Sequence, residues 1–189
     1  MYEVHDDIYC YAGTAVLKNK LDLKDANRLG DFEAEITAQR ASEPLPDGAL
    51  DFTHYKAVHH HLFQDVYDWA GQPRSVRISK GGNPFCFPEF IDGQMSALLA
   101  ALAADRYLRG LDRKAFSKKA AHFLAELNAI HPFREGNGRT QLSFLALLAD
   151  EAGHPLDLAR LDPRLFLDAT IESFGGDEGG LESQIGSLL

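Results

Sequence analysis

Residues 131–140 read His131-Pro132-Phe133-Arg134-Glu135-Gly136-Asn137-Gly138-Arg139-Thr140. Proline breaks a helix and restricts the residue before it, so a helix arriving from upstream ends near His131. Gly136 and Gly138 open backbone conformations closed to other residues and allow close approach to a ligand. From Gly138 to about Ala152 the chain is almost wholly apolar, through Leu142, Phe144, Leu145, Ala146, Leu147 and Leu148. A helix apolar on most sides is a central, buried one. The stretch therefore reads as a loop opening a core helix. Its first N–H groups and positive dipole end form a natural anion site.

Working outward, Asp112 caps a predicted helix to about Ile130, with an apolar stripe of Phe116, Ala120, Phe123, Leu124, Leu127 and Ile130. Upstream, one helix is predicted from about Leu23 to Ser42, ending before Pro44 and Pro46. A second follows Asp51-Phe52-Thr53 and runs to about Ala70, with Val58, Leu62, Val66 and Trp69 at helical spacing, and stops at Gly71 and Pro73. Ser75-Val-Arg-Ile-Ser79 alternates as a strand does, Lys80-Gly-Gly-Asn-Pro84 is turn chemistry, and Phe85-Cys-Phe87 can return. Residues 75–87 thus read as a β-hairpin or flap. Further helices are predicted from about Pro88 to Ala104, Pro163 to Phe174 and Leu181 to Leu188. No repeat or composition break divides the chain. The fold class is mainly α with one hairpin, residues 1–189 forming a single domain.

With 45% apolar and 25% charged residues, the chain reads as an ordinary globular protein. Its formal net charge of -9 argues against a nucleic-acid-binding face, which is normally basic. Cys10 and Cys86 share no paired spacing and read as two buried thiols in a reducing cytoplasm. The start, Met1 to Asp7, shows no signal peptide, and no apolar run is long enough to cross a membrane. Neither nucleic acid nor membrane is an expected partner.

Within the 131–140 loop, Asn137 and Arg139 add a neutral donor and a cationic fork suited to phosphate oxygens. Glu135 is an odd neighbour for an anion unless a cation lies between them, and Mg²⁺ takes carboxylate and phosphate oxygens together. His131 can take a proton near neutral pH. A base, a carboxylate and a phosphate cradle this close together describe phosphoryl or nucleotidyl transfer.

The segment resembles the Fic motif, His-Pro-Phe-x-(Asp/Glu)-Gly-Asn-Gly-Arg, at every defined position. Leu62-Phe-Gln-Asp-Val-Tyr-Asp-Trp-Ala-Gly71 resembles the helix before the Fic flap, and Ile78-Ser-Lys-Gly-Gly82 the flap itself. Tyr9-Cys-Tyr-Ala-Gly-Thr14 resembles the start of short bacterial Fic toxins and of related secreted effectors. The resemblance implies a helical Fic fold and a protein adenylyltransferase. It moves AMP from ATP to a Ser, Thr or Tyr hydroxyl of a target protein. It also implies roles: His131 as base, Glu135 on Mg²⁺, Gly136, Asn137 and Gly138 as the anion hole, and Arg139 on the phosphate tail. The flap, through Ser79, Lys80, Gly81 and Gly82, would clamp the target segment by strand-like pairing. Many Fic motifs carry a second arginine three residues after the first, seating the γ-phosphate. Leu142 stands there in this chain.

Other features read as structural. His59, His60 and His61 point about a hundred degrees apart on a helix and cannot chelate one ion together. His122 and Trp69 read as packing residues, Phe133 as a core anchor, and Asp177-Glu178 as a solvated surface. Gly138 favours AMP transfer over phosphorylation, because relatives with Lys there phosphorylate; transfer of UMP or phosphocholine, or a pure binding module, are the competing functions. Fic enzymes are commonly silenced by a helix bearing Ser/Thr-x-x-x-Glu-Gly/Asn. In this chain Glu-Gly or Glu-Asn occurs only at Glu135-Gly136 and Glu178-Gly179, and Phe174 stands four residues before Glu178. The resemblance therefore points to a toxin inhibited by a small helical antitoxin, with DNA gyrase or topoisomerase IV as targets by analogy. A secreted effector modifying host proteins is the alternative.

Overall fold

The computed structural model describes residues 7–189, so the reading of the N-terminus as lacking a signal falls largely outside the described residues. Seven α-helices and one two-stranded antiparallel hairpin make up the described regular structure, apart from short single-turn segments. The residues cluster into two compact units. One holds the chain up to Asp92 together with Pro132–Thr140; the other holds Gly93–His131 and Gln141–Leu189.

In the first unit, Cys10 bridges Leu17 in an isolated antiparallel pair ahead of α1 (Ala26–Ser42). The Asp25 side chain accepts the Arg28 N–H and starts α1, two to three residues later than the predicted Leu23. Asp51 accepts from the His54 N–H and starts α2 (Phe52–Phe63), which packs on α1. The predicted helix to Ala70 is corrected here: α2 ends at Phe63, and residues 64–71 form turns. The cause is tertiary. Phe63, Val66, Tyr67 and Ala70 are all buried at helical spacing, so burial does not end the helix; long-range hydrogen bonds hold the turns instead. The Lys20 N–H is bonded to Val66 O, and the Gly71 N–H to the ring of His59.

The hairpin is shorter than its sequence pattern. Strands β1 (Ser79–Lys80) and β2 (Asn83–Pro84) pair around Gly81 and Gly82, whose φ values of 57° and 79° match the two-residue turn that suits strand twist. Ser75 to Ile78 forms no strand. Buried Arg74 takes the Val76 and Cys86 carbonyls with its guanidinium, so a side chain replaces the ladder there.

In the second unit, Asp112 caps α4 (Arg113–Ile130), whose predicted stripe is buried throughout. Asp162 and Pro163 start α6 (Pro163–Phe174), and α7 (Gly179–Leu188) packs against both α4 and α6. Helices α3 (Pro88–Ala104) and α5 (Asn137–Ala152) each begin in the first unit and continue in the second. From Thr140 to Ala149 no residue of α5 is exposed, as a central helix requires. Cys10 is a buried free thiol and Cys86 a half-buried one. No described helix is long and apolar enough to cross a membrane.

Candidate active site

Helix α4 ends on His131, whose φ of 51° and ψ of 62° are left-handed while its N–H still bonds Leu127 O. A histidine held there is uncommon backbone, of the kind found at functional sites. Its Nδ1 lies 3.2 Å from the Asn128 carbonyl oxygen. A carbonyl only accepts, so Nδ1 carries a proton and donates. Pro132 then takes the chain into the loop.

The loop closes on itself. The Phe133 N–H donates to Asn137 Oδ1 at 2.9 Å, and Asn137 Nδ2 donates to Phe133 O at 2.8 Å. The Asn137 side chain, taken from sequence as a donor for phosphate, thus staples the turn. Gly136 has φ 80°, and a Cβ there would meet the Phe63 ring at 2.2 Å. Thr140 returns both its N–H and its hydroxyl to Gly136 O. The N–H groups of Asn137, Gly138 and Arg139 lie in the first turn of α5, where backbone N–H groups have no intrahelical acceptor. Gly138 is exposed, and no atom lies within 4 Å of a Cβ built on it. These donors at a helix start make an anion cradle.

Glu135 is half-buried, and its Oε1 accepts the Gly136 N–H at 3.0 Å. Desolvation raises its carboxyl above the usual range; the neighbouring Glu33 charge adds to this, while Gly136, Arg139 and Arg134 oppose it. Among the described residues no three His, Cys, Asp or Glu side chains gather into a metal cage. Glu135 is still the hard, single carboxylate that Mg²⁺ takes when substrate phosphates complete its shell.

Three residues that support the loop were read differently, or not singled out, from sequence. His59 is fully buried, and its Nδ1 accepts the Gly71 N–H at 2.7 Å. Its Nε2 therefore carries the proton and donates to Glu135 O at 3.1 Å. The ring stacks on Phe133 at 3.7 Å between centroids. Burial, chiefly, holds its pKa down at about 3, so it stays neutral. The clue was its helical spacing with Tyr55 and Phe63, both fully buried. Arg134, the variable motif position, is buried and donates to Asp7 Oδ2 from Nε at 2.9 Å and Nη2 at 2.6 Å. Arg74 donates its N–H to Pro132 O at 2.8 Å, tying the hairpin's base to the loop. Arg139 is held by Glu33 and Thr37 of α1.

In the hairpin Ser79 is half-buried, whereas Lys80, Gly81 and Gly82 are exposed. Phe133 is fully buried, as a core anchor should be. His122 is exposed and bonded through Nδ1 to Glu178 at 2.9 Å, so Glu178 is a paired side chain. Trp69 stacks on Tyr67 at 4.3 Å and meets Tyr9 edge-on.

The Fic/DOC family model matches residues 49–149. The chain is 52% identical over 189 residues to the "Probable protein adenylyltransferase" of Sinorhizobium fredii, covering all of this chain and 98% of that protein. Its fold is similar to that of the N-terminal Fic domain of a VirB-translocated Bep effector of Bartonella quintana, solved with bound ADP. The TM-score is 0.86 at 28% identity, covering 95% of this chain and 93% of that one. A VirB-translocated effector of Bartonella tribocorum with bound AMPPNP is similar at a TM-score of 0.84 and 27% identity, covering 95% of each chain. The chain belongs to the Fic/DOC family. Within it, the chain is an enzyme, a protein adenylyltransferase.

Proposed function

We propose that residues 1–189 act as one Fic domain that transfers AMP from ATP to a Ser, Thr or Tyr hydroxyl of a protein target. The observation that carries this reading is the 3.2 Å contact of His131 Nδ1 with the Asn128 carbonyl oxygen. With Nδ1–H committed to Asn128 O, Nε2 is the nitrogen able to accept a proton. The target oxygen attacks the α-phosphorus and forms the new O–P bond as its proton passes to His131 Nε2. The bond from the α-phosphorus to the bridging oxygen breaks, and pyrophosphate leaves with that electron pair. The N–H groups of Asn137, Gly138 and Arg139 receive the α- and β-phosphate oxygens, with Gly136 giving the turn its shape. Arg139 binds the phosphate tail, and Glu135 holds Mg²⁺. When bound, Mg²⁺ supplies charge neutralisation for the leaving pyrophosphate. The flap residues Ser79, Lys80, Gly81 and Gly82 hold the target segment.

We further propose a bacterial cytoplasmic toxin held off in trans by a small helical antitoxin, with gyrase or topoisomerase IV as candidate targets. Within these residues Glu178 is paired with His122 and Glu135 belongs to the catalytic loop, so neither supplies an inhibitory glutamate. Likeness to two VirB-translocated effectors favours a second reading, delivery into another cell.

Incubation with target lysate and ATP labelled at the α- or γ-phosphate tests the chemistry. Retained α-label only, lost in His131→Ala, is the expected result. Retained γ-label, or α-label surviving in His131→Ala, would overturn the reaction or the base respectively.

A further inference from the structure

Arg139 is anchored to α1 before any nucleotide arrives. Its Nη2 donates to the Glu33 carboxylate, its Nη1 donates to Thr37 Oγ1 at 2.8 Å, and its guanidinium sits 4.7 Å from the Phe63 ring centroid. Each anchor is itself fixed. The second Glu33 oxygen accepts the Tyr67 hydroxyl. The Thr37 hydroxyl donates to Glu33 O at 2.6 Å, which turns its lone pair towards Arg139. Phe63 is fully buried. Glu33 and Thr37 are four residues apart and so share one face of α1.

A guanidinium has five N–H groups in one plane. Two are used on α1, and three remain on the rest of the fork. The Glu33 side chain is 12% exposed while that of Arg139 is 39% exposed, so the anchored edge is the inner one. A free arginine samples many rotamers, and holding it still costs entropy at each binding event. Here that ordering is already done by α1.

We infer that Glu33 is a positioning residue for nucleotide binding: acting through Arg139, it fixes the guanidinium with its remaining N–H edge ready for the phosphates. This rests on the reading of Arg139 as a phosphate ligand. Glu33 and Thr37 lie outside the catalytic motif and outside the 49–149 stretch that defines the family. With Leu142 in place of a second motif arginine, the direction of Arg139 matters more.

The same carboxylate also repels phosphate, so deleting it mixes two effects of opposite sign. Glu33→Gln and Glu33→Ala both remove the charge. Only glutamine keeps an oxygen for Arg139 Nη2 and an amide for the Tyr67 oxygen. The comparison of these two variants therefore isolates positioning at equal charge.

The experiment is calorimetric titration of the full chain with ADP, without turnover, for both variants in wild-type and Arg139→Ala backgrounds. With Arg139 present, Glu33→Ala is expected to bind ADP about threefold to tenfold more weakly than Glu33→Gln. With Arg139→Ala that ratio should fall to about one, because coupled residues lose their joint effect together. Thr37→Val, which changes no charge, should weaken ADP binding in the same direction. Equal binding by the glutamine and alanine variants, or a ratio that persists without Arg139, overturns the inference. If Arg139→Ala alone leaves ADP affinity unchanged, the phosphate role of Arg139 falls and this inference with it. If Arg139→Ala weakens ADP but the ratio is one, only the inference falls.

Discussion

Gly136→Ala and Gly138→Ala change neighbouring glycines of one motif and should have opposite consequences. At Gly136 the backbone has φ 80°, and a built Cβ meets Phe63 Cζ at 2.2 Å and Cε2 at 2.4 Å. Forcing an L residue into that conformation costs about 1–2 kcal/mol. Overpacking a fully buried ring that cannot yield costs about 1–3 kcal/mol more. Phe63 cannot yield freely, because His59 stacks on it at 4.7 Å and the Arg139 guanidinium lies over its ring. The sum is about 2–5 kcal/mol, which lowers the melting midpoint of a chain this size by roughly 4–20 °C. At Gly138 the backbone is helical and a Cβ meets nothing within 4 Å. That substitution should leave stability within about 1 kcal/mol of wild type, in the direction of a gain from helix propensity. Chemical denaturation with unchanged slope measures both. Equal losses for the two variants, or a loss below about 1 kcal/mol for Gly136→Ala, would refute the packing argument for the loop.

His131→Ala should lower AMP transfer by about 10²–10⁴-fold with the same helical circular dichroism, measured by label retention. Glu135→Gln should stay folded yet lose the rate's dependence on Mg²⁺ concentration; an unchanged Mg²⁺ titration would dismiss the carboxylate as its ligand. His59 is neutral when folded, with its pKa pushed down to about 3, and ordinary near 6.5 when unfolded. Its contribution to stability is therefore present above about pH 6.5 and is lost as pH falls towards 3, at up to about 1.4 kcal/mol per pH unit. Denaturation midpoints across that range should flatten in His59→Gln relative to wild type; parallel curves would remove His59 as the cause.

Much of the architecture was legible because local rules and burial agree. Asp112, read from sequence as a cap, starts α4, and Asp25, Asp51 and Asp162, not singled out from sequence, cap their helices in the same way. The stripe from Phe116 to Ile130 is buried as its spacing required. The helix from Phe52 was misjudged in length because Val66 and Trp69 keep the helical period while the Gly71 N–H goes to His59. The hairpin was overextended because Arg74, twelve residues from its Cys86 partner, takes carbonyls that alternation assigned to a ladder.

The candidate site divides along the same line. The order His131 to Arg139 by itself determined the break after α4, the glycine turn and the helix start that offers three N–H donors. These depend only on proline geometry, glycine freedom and the unpaired first turn of a helix. Tertiary structure alone decided who holds that turn. His59 reaches Glu135 across 76 positions, Glu33 reaches Arg139 across 106, and Asp7 reaches Arg134 across 127. No periodicity spans such separations. A buried carbonyl, carboxylate or guanidinium must find a partner, and which side chain supplies it is settled only when the distant segments pack together.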